Sequence, residues 1–252
     1  MNNINDTYFD GAYKEIWRTL IPDELTVKET DFMLPYFNLN ESSKVLDLMC
    51  GYGRHALALA RRDIAVTAVD NLTDYIHEIK SIAEKENLPV QAIQSDALDF
   101  TTKEKFDLAM IMGNSINFFN AEDTVKLLTS ISSFLKPGGH LLINSWSIAE
   151  IAVKNWKEKS WSQIGDWKFL TENRFLFHPT RMETESTIIN KDGVTEVKTG
   201  VDYIFSLNEM EAMLNKAGFG LKEVYSIPGR KKFSIGEPRA YLVAEKIVRL
   251  AT

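Results

Sequence analysis

The chain has 252 residues, 44% hydrophobic and 25% charged, which is ordinary globular usage and long enough for a full core. A net charge of −6 without a long basic stripe argues against a nucleic-acid partner, because such binding rests on neutralising phosphates. No apolar run nears the roughly 20 residues that span a bilayer, the opening residues have no signal-peptide pattern, and the single Cys50 excludes an internal disulfide framework and disfavours a Cys-based metal site.

Tyr8–Leu20 carries Tyr13, Ile16, Trp17 and Leu20 at helical spacing. Thr26-Val27-Lys28-Glu29 reads as a capping box, with Asp31–Phe37 continuing the helix until Asn38. Lys44–Leu48 is the first central strand, followed by a helix over Arg54–Arg61 and a second strand over Ile64–Val69. Asp74–Glu86 is a helix and Val90–Gln94 a third strand. Phe106–Met112, a fourth strand, is near-continuously apolar, as a strand buried on both faces should be. Ala121–Leu135 is a helix that stops at Lys136-Pro137-Gly138-Gly139, and His140–Ser145 is the fifth strand. The alternation of strands and helices implies a parallel sheet covered on both faces.

Beyond Ser145 the pattern changes. Lys168–Phe177, Arg181–Asn190 and Val194–Phe205 alternate in period two, with a turn at Asn190–Gly193, and read as an antiparallel insertion of about three strands. The helical run Leu207–Ala217, the strand Leu221–Ile227 and a last strand Ala240–Glu245 return to the main sheet. The expected fold class is α/β: a Rossmann-like doubly wound sheet, mostly parallel with an antiparallel last strand, plus a small antiparallel β insertion. Trp146, Trp156, Trp161 and Trp167 lie between the fifth strand and the insertion. They read either as packing for the insertion or as the walls of an aromatic pocket.

The chemistry concentrates in Val45–Ala60, VLDLMCGYGRHALALA, where a strand ends in Asp47 and turns through Gly51 and Gly53 into a helix. Gly51–Ala56 matches G-x-G-x-x-A, and Asp70 lies about 20 residues on, where an acid binds ribose hydroxyls. Nicotinamide-dependent oxidoreductases share these features. Asp47 and Asp70 read either as turn or cap acids or as ligand groups, and as a ligand group Asp47 separates the cases: a carboxylate at the strand tip repels a pyrophosphate but stabilises the ammonium and sulfonium of S-adenosylmethionine. Ser95-Asp96-Ala97 follows the third strand, where Asp96 accepts from an adenine amino group or caps the loop. Met112–Phe119, MGNSINFF, ends the fourth strand at the switch point where ligands of open α/β sheets bind. There Gly113 permits close backbone approach, Asn114 and Ser115 offer polar groups, and Phe118 and Phe119 wall the pocket or pack the core.

With these motifs the chain resembles a class I S-adenosylmethionine-dependent methyltransferase of the small-molecule type, in a bacterial subgroup of largely unassigned substrate. The stretches FDLAMIMGNSINFF, SISSFLKPGGHLLI, AGFGLKEVYSI and RAYLVAEK also carry the resemblance, which covers about Lys44–Ser145 and Leu207–Lys246. It implies a helical leader or lid over 1–40, a cofactor-binding domain over 41–150 and 206–252, and an insertion over 151–205 covering the acceptor site. It implies that Asp47, Met49, Gly51 and Gly53 approach the methionine moiety. Met49 stands where the family often has a glycine, and contacts ligand mainly through its backbone. Arg54 and His55 face the cofactor carboxylate or cap the helix. Asp70 binds ribose hydroxyls, Asp96 and Ala97 hold adenine, and Gly113 and Asn114 lie near the sulfonium. Asn71, Leu72 and Met112 complete the cofactor set, and the product is S-adenosylhomocysteine.

For the acceptor pocket the candidates are Trp17, Ser115, Phe118, Trp146, Arg174 and Arg181. Arg174, Arg181, Arg230 and Lys231 together hint at an anionic acceptor. No catalytic base is assigned: His178 sits in a turn beside Pro179, His77 falls within a helix, and His140 starts the fifth strand at the wrong end of the sheet. Enzymes that methylate amino groups of DNA bases or protein glutamine carry an acid-or-Asn-Pro-Pro-Tyr segment where this chain has Gly113–Ile116. Cytosine-C5 enzymes need a Pro-Cys nucleophile there, and the only cysteine is Cys50. The expectation is therefore a small polar or aromatic metabolite as substrate, no metal, no membrane, a cytoplasmic location, and a monomer or homodimer. The alternatives are a protein or RNA methyltransferase, or a non-catalytic S-adenosylmethionine-binding protein.

Overall fold

The computed structural model describes residues 3–248, so the outermost ends of the expected leader and cofactor domain, residues 1–2 and 249–252, lie outside the described residues. A 3-10 turn over Ile4–Thr7 opens the leader, capped by Asn3 and Asp6 in a reciprocal box. Helix α1 (Ala12–Leu20) follows. Helix α2 (Asp23–Tyr36) starts directly after Pro22, which corrects the expected capping box. Proline presets the backbone for the first turn, Asp23 and Glu24 complement its dipole, and Thr26 and Glu29 are left inside the helix. Asn38, in the left-handed region at φ 52°, ends the element.

The main unit then runs β1 (Lys44–Leu48), α3 (Arg54–Ala60), β2 (Ala65–Asp70), α4 (Thr73–Glu86), β3 (Val90–Gln94) and β4 (Phe106–Ile111). A 3-10 turn over Ser115–Phe118 leads to α5 (Ala121–Phe134) and β5 (Leu135–Ser145). The fifth strand begins earlier than the Pro-Gly-Gly run suggests, because Leu135 pairs with Phe106 before the register shifts. Helix α6 (Ala149–Asn155) leads into β6 (Lys159–Ile164), β7 (Trp167–Phe177), β8 (Thr180–Ile189) and β9 (Thr195–Tyr203). The chain returns through α7 (Leu207–Lys216), β10 (Phe219–Ile227), β11 (Lys231–Lys232) and β12 (Ala240–Lys246).

The main sheet has the order β11-β10-β12-β5-β4-β1-β2-β3. Strands β1 to β5 are parallel, and β12 lies antiparallel between β10 and β5. The chain leaves β1 toward β2 on one side and later returns to its other side as β4. That reversal opens a crevice at the C-terminal ends of these strands. Successive β1 side chains point to opposite faces. Leu46 and Leu48 join a core with α5 and α7, including Leu127, Leu128, Leu214 and Phe219. Val45 joins a second core with α2, α3 and α4, including Met33, Leu59 and Ile79.

The insertion is a separate four-stranded antiparallel sheet, β6-β7-β8-β9, rather than three strands. Strand β6 escapes sequence reading because five of its six residues are exposed and carry no apolar alternation, as suits an edge. The tryptophans divide. Trp167 packs with Ile16, Ile164 and Ile188, where α1 meets the insertion, and Trp146 faces an internal chamber. Trp161 is 72% exposed and takes neither expected role, whereas Trp156, 41% exposed, meets Phe175 of β7 edge-on at 6.5 Å and so packs on the insertion.

Gly53 takes φ 78° at the start of α3, and a Cβ built there would stand 2.6 Å from Ile79 Cγ1. Gly53→Ala combines left-handed strain with overpacking and is expected to destabilise the protein by roughly 2–4 kcal/mol in urea unfolding.

Candidate active site

Above the C-terminal ends of β1, β2 and β4 lies a cavity of about 970 Å³, mouth included. The β1–α3 turn contributes Asp47, Met49, Gly51, Arg54 and His55 to its lining. The end of β2 contributes Asp70, Asn71 and Leu72, the β3 loop Asp96 and Ala97, and the β4 loop Met112, Gly113, Ser115 and Phe118. Two cofactor candidates stand elsewhere. Gly53 is not on the cavity wall, because its missing side chain makes room for Ile79 of α4. Asn114 faces a neighbouring chamber instead.

Met49 explains how the turn forms without a first glycine: it adopts φ 58° itself, while its side chain packs against the core. Gly51, at φ 55°, has open space where a side chain would stand. Asp70 holds this turn in place. Its Oδ2 accepts the Gly51 N–H at 2.8 Å and its Oδ1 the Leu72 N–H at 3.0 Å. Burial pushes the Asp70 carboxyl up, against the stabilising N–H groups of Leu72, Gly51 and Asn71.

Asp47 is in the opposite situation. It is 1% exposed, and its Oδ2 has no hydrogen-bond partner among the described residues. Burial pushes its carboxyl up to about 7, with Arg54 opposing and Asp70 adding to the shift. A buried carboxylate oxygen without a donor is costly, so this position is built for a donor that the protein does not itself supply.

Sequence reasoning missed the support for Arg54 and His55. Glu29 of α2, itself 1% exposed, meets Arg54 Nη1 at 2.6 Å and His55 Nε2 at 2.8 Å through Oε2. Its Oε1 accepts from Tyr241 Oη at 2.6 Å, and Thr26 Oγ1 accepts from Arg54 Nη1 at 2.9 Å. Burial alone would raise the Glu29 carboxyl, but its hydrogen bonds and the Arg54 charge hold it down at about 2. Burial, with Arg54 alongside, pushes His55 down, which favours a neutral imidazole. The Thr-x-x-Glu spacing that resembles a cap thus places both side chains, one turn apart, toward α3.

The leader closes the cavity from above with Asn3, Asn5, Asp6, Phe9 and Trp17. Asn5 exchanges two hydrogen bonds of 2.9 Å with the Val201 backbone of β9. Asn3 Nδ2 donates to Phe118 O at 2.9 Å, Asn71 Nδ2 to Asp6 Oδ1 at 3.0 Å, and Tyr75 Oη to Phe9 O at 2.9 Å. These bonds stitch the leader to both sheets.

A second chamber of about 460 Å³, mouth included, adjoins the first and shares Asn5, Phe9, Trp17, Gly113 and Phe118 with it. Trp146 and Asn114 line it, as do Thr184 and Asp202 of the insertion. Asn114 is the brace: its Oδ1 accepts from the Trp146 and Ser147 N–H groups, and its Nδ2 donates to Ser147 Oγ at 2.9 Å and Asp202 Oδ1 at 3.2 Å. Asp202 was not among the sequence candidates. The available signal was an acid in register with Gly200 on the inward face of a period-two strand.

Arg174 and Arg181 line neither chamber, which corrects their assignment to the acceptor pocket. Both pair with Glu183, a cross-strand neighbour of Arg174 on the insertion surface. Lys231 likewise pairs with Glu237, so the suggested anion-binding cluster does not assemble. His178, in a cis bond to Pro179, lies in the β7–β8 turn, and His140 lies against Phe37, its ring tilted at 51°, away from the crevice. Among the described residues no cluster of His, Cys, Asp and Glu suited to a metal occurs, and no helix is long and apolar enough to cross a membrane.

Residues 45–139 match a family model described as a methyltransferase domain. The S-adenosyl-L-methionine-dependent Diels-Alderase iccD of Talaromyces variabilis is 29% identical over 132 residues, covering 50% of this chain and 44% of that protein. The putative methyltransferase YqeM of Bacillus subtilis (strain 168) is 30% identical over 122 residues, 45% of this chain and 48% of that protein. The chain thus spans about half the length of these curated relatives. A solved S-adenosylmethionine-dependent methyltransferase from Clostridium acetobutylicum ATCC 824 superposes with a TM-score of 0.80, covering 94% of this chain and 96% of that one. At 18% identity that likeness is one of fold.

Proposed function

We infer that this chain, with its methyltransferase domain at residues 45–139 and the class I fold around it, is an S-adenosylmethionine-dependent methyltransferase that acts on a small-molecule acceptor. The observation that carries this reading is Asp47, a buried carboxylate on the cavity lining whose Oδ2 lacks a donor. An ammonium satisfies it, whereas a pyrophosphate at the same turn would repel it. The cofactor supplies, when bound, a methyl group activated on a sulfonium.

In this reading Asp47 takes the cofactor ammonium, and Arg54, oriented by Glu29, faces the carboxylate. Asp70 offers its remaining acceptor capacity to the ribose hydroxyls, and Asp96 with Ala97 borders the adenine. Gly51 and Gly113 let the backbone come close. Trp17 and Phe118, shared by both chambers, border the path between methyl and acceptor and keep water from it. The acceptor chamber is walled by the leader and the insertion and suits a metabolite better than a polypeptide loop or a nucleic acid. A second reading, use of the bound cofactor without methyl transfer, is favoured by the name of one relative, an S-adenosyl-L-methionine-dependent Diels-Alderase. Labelled methyl transfer to a metabolite panel separates the two.

Calorimetry tests the cofactor itself. Wild-type protein is expected to bind S-adenosylmethionine in the micromolar range, and Asp70→Ala to weaken it about 100-fold, the equivalent of two lost hydrogen bonds to a charged group. Absence of binding to the wild type would sink the reading.

A further inference from the structure

We propose that the second chamber binds a protonated amine, paired with Asp202 and enclosed by aromatic rings, and that Asp202 takes the amine's proton so that its nitrogen can accept the methyl group. The transfer step rests on the cofactor reading above; the amine site does not.

Three observations carry the assignment. First, the chamber holds one charged side chain. Asp202 lines it, while its other lining side chains are neutral: Asn5, Asn114 and Thr184 are polar and the rest are aromatic or aliphatic. Among the described residues Asp202 makes no ion pair; its donors, Asn114 Nδ2 at 3.2 Å and the Ser147 hydroxyl, are neutral. An anionic acceptor would face this carboxylate with nothing to offset it, whereas a cationic one supplies the missing charge.

Second, the walls are suited to a cation. Tyr8 and Tyr13 have ring centroids 4.8 Å apart, Tyr13 stacks on Trp17 at 6.5 Å, and Trp17 meets Trp146 at 5.7 Å. Phe9 and Phe118 approach to 5.0 Å on the side shared with the cofactor cavity. Rings beside a carboxylate attract a cation by their negative faces, and they give a neutral alcohol no comparable gain.

Third, the proton has a route. The titratable groups that face Asp202 are Tyr8 and Tyr13 of the leader, both pushed up by burial and so neutral. Burial raises the Asp202 carboxyl to about 7, against the Ser147 hydrogen bond, which puts it in range to exchange a proton near neutrality. Moving the proton from ammonium to Asp202 converts a charge pair into a neutral pair, which a partly buried site favours more than water does. The freed nitrogen lone pair then forms the N–C bond as the methyl–sulfur bond breaks and its electron pair returns to sulfur. The methylated ammonium and S-adenosylhomocysteine leave, and Asp202 returns its proton to solvent.

The test uses benzylamine and cyclohexylamine as probes, with benzyl alcohol, cyclohexanol and benzoate as neutral and anionic counterparts. Binding is measured by ligand-observed NMR on the full chain, with and without S-adenosylhomocysteine. The wild type is expected to bind the amines about tenfold or more tightly than the counterparts. Asp202→Asn should abolish that preference and Asp202→Glu retain it, with S-adenosylhomocysteine affinity unchanged in both. A panel in which no amine outbinds its counterparts, or a preference that survives Asp202→Asn, overturns the assignment. Failure of S-adenosylhomocysteine to bind the wild type defeats the cofactor reading alone, because the amine series is also run on the free protein.

Discussion

Asp47→Asn is expected to make the ligand-free protein more stable while weakening S-adenosylmethionine binding about 100-fold, the effect of removing one buried charge pair. In the folded protein the Asp47 carboxyl holds its proton until about pH 7, against an ordinary value of 3.8. Between those values the folded state carries a proton that the unfolded state has lost, so stability falls as pH rises across the window and the penalty is complete above it. Asparagine removes the penalty. The gain should reach roughly 1–3 kcal/mol at about pH 8 and shrink toward nothing near pH 4. Calorimetric melting at the two ends of the range, with a cofactor titration at neutral pH, measures both halves. A variant less stable than wild type at the alkaline end would mean that Asp47 already has its partner in the ligand-free protein.

Glu29→Ala should be the most damaging single change. It strips Arg54, His55 and Tyr241 of their common acceptor and leaves a guanidinium, 11% exposed, without its carboxylate. Breaking a buried pair in this way costs about 3–5 kcal/mol, or a melting temperature about 6–20 °C lower for a chain of this size. Because Glu29 is held at about 2, below its ordinary 4.5, its contribution is fully present above 4.5 and is lost as pH falls toward 2. The variant should therefore be less sensitive to acid over that window than the wild type. Cofactor affinity should fall as well, since Arg54 loses the contact that aims it at the cavity. Urea unfolding at neutral and acid pH checks the first part; a loss under about 1 kcal/mol would show that the cluster is not a structural keystone.

How far the sequence could be read follows from how local each signal is. The strand Lys44–Leu48 was readable to the residue because a central parallel strand is a largely apolar run bounded by turn residues, and Val90–Gln94 because its β-branched and apolar residues sit between a helix end and a turn. Asp47 and Asp70 line the first cavity for a similar reason: each stands at the end of a strand whose geometry its neighbours set. Lys159–Ile164 was not, since an exposed edge strand has no inward face to leave a pattern. The Thr26–Glu29 spacing misled because a tertiary contact with Arg54 and His55 uses the residues that a cap would use. The second chamber was the least visible part. It joins Tyr8, Trp146 and Asp202, and the Asn5–Val201 clasp beside it spans 196 positions, so no window of sequence contains it. Arg174 and Arg181 were drawn in by their charge, which says nothing about direction, and both found Glu183.

The position of β12 has a consequence for how the molecule is made. Strand β10 touches the main sheet only through β12, which follows it in the chain and lies between it and β5. While the polypeptide emerges from the ribosome, Phe219–Ile227 has no sheet to join until Ala240–Lys246 is also free to insert. The half of the sheet that builds the cofactor cavity, β1 to β5, can assemble well before that point. The far half, including Tyr241 with its bond to Glu29, can close only once β12 is in place. Deleting Ala240–Lys246 would consequently detach two further strands along with it, rather than trim an edge.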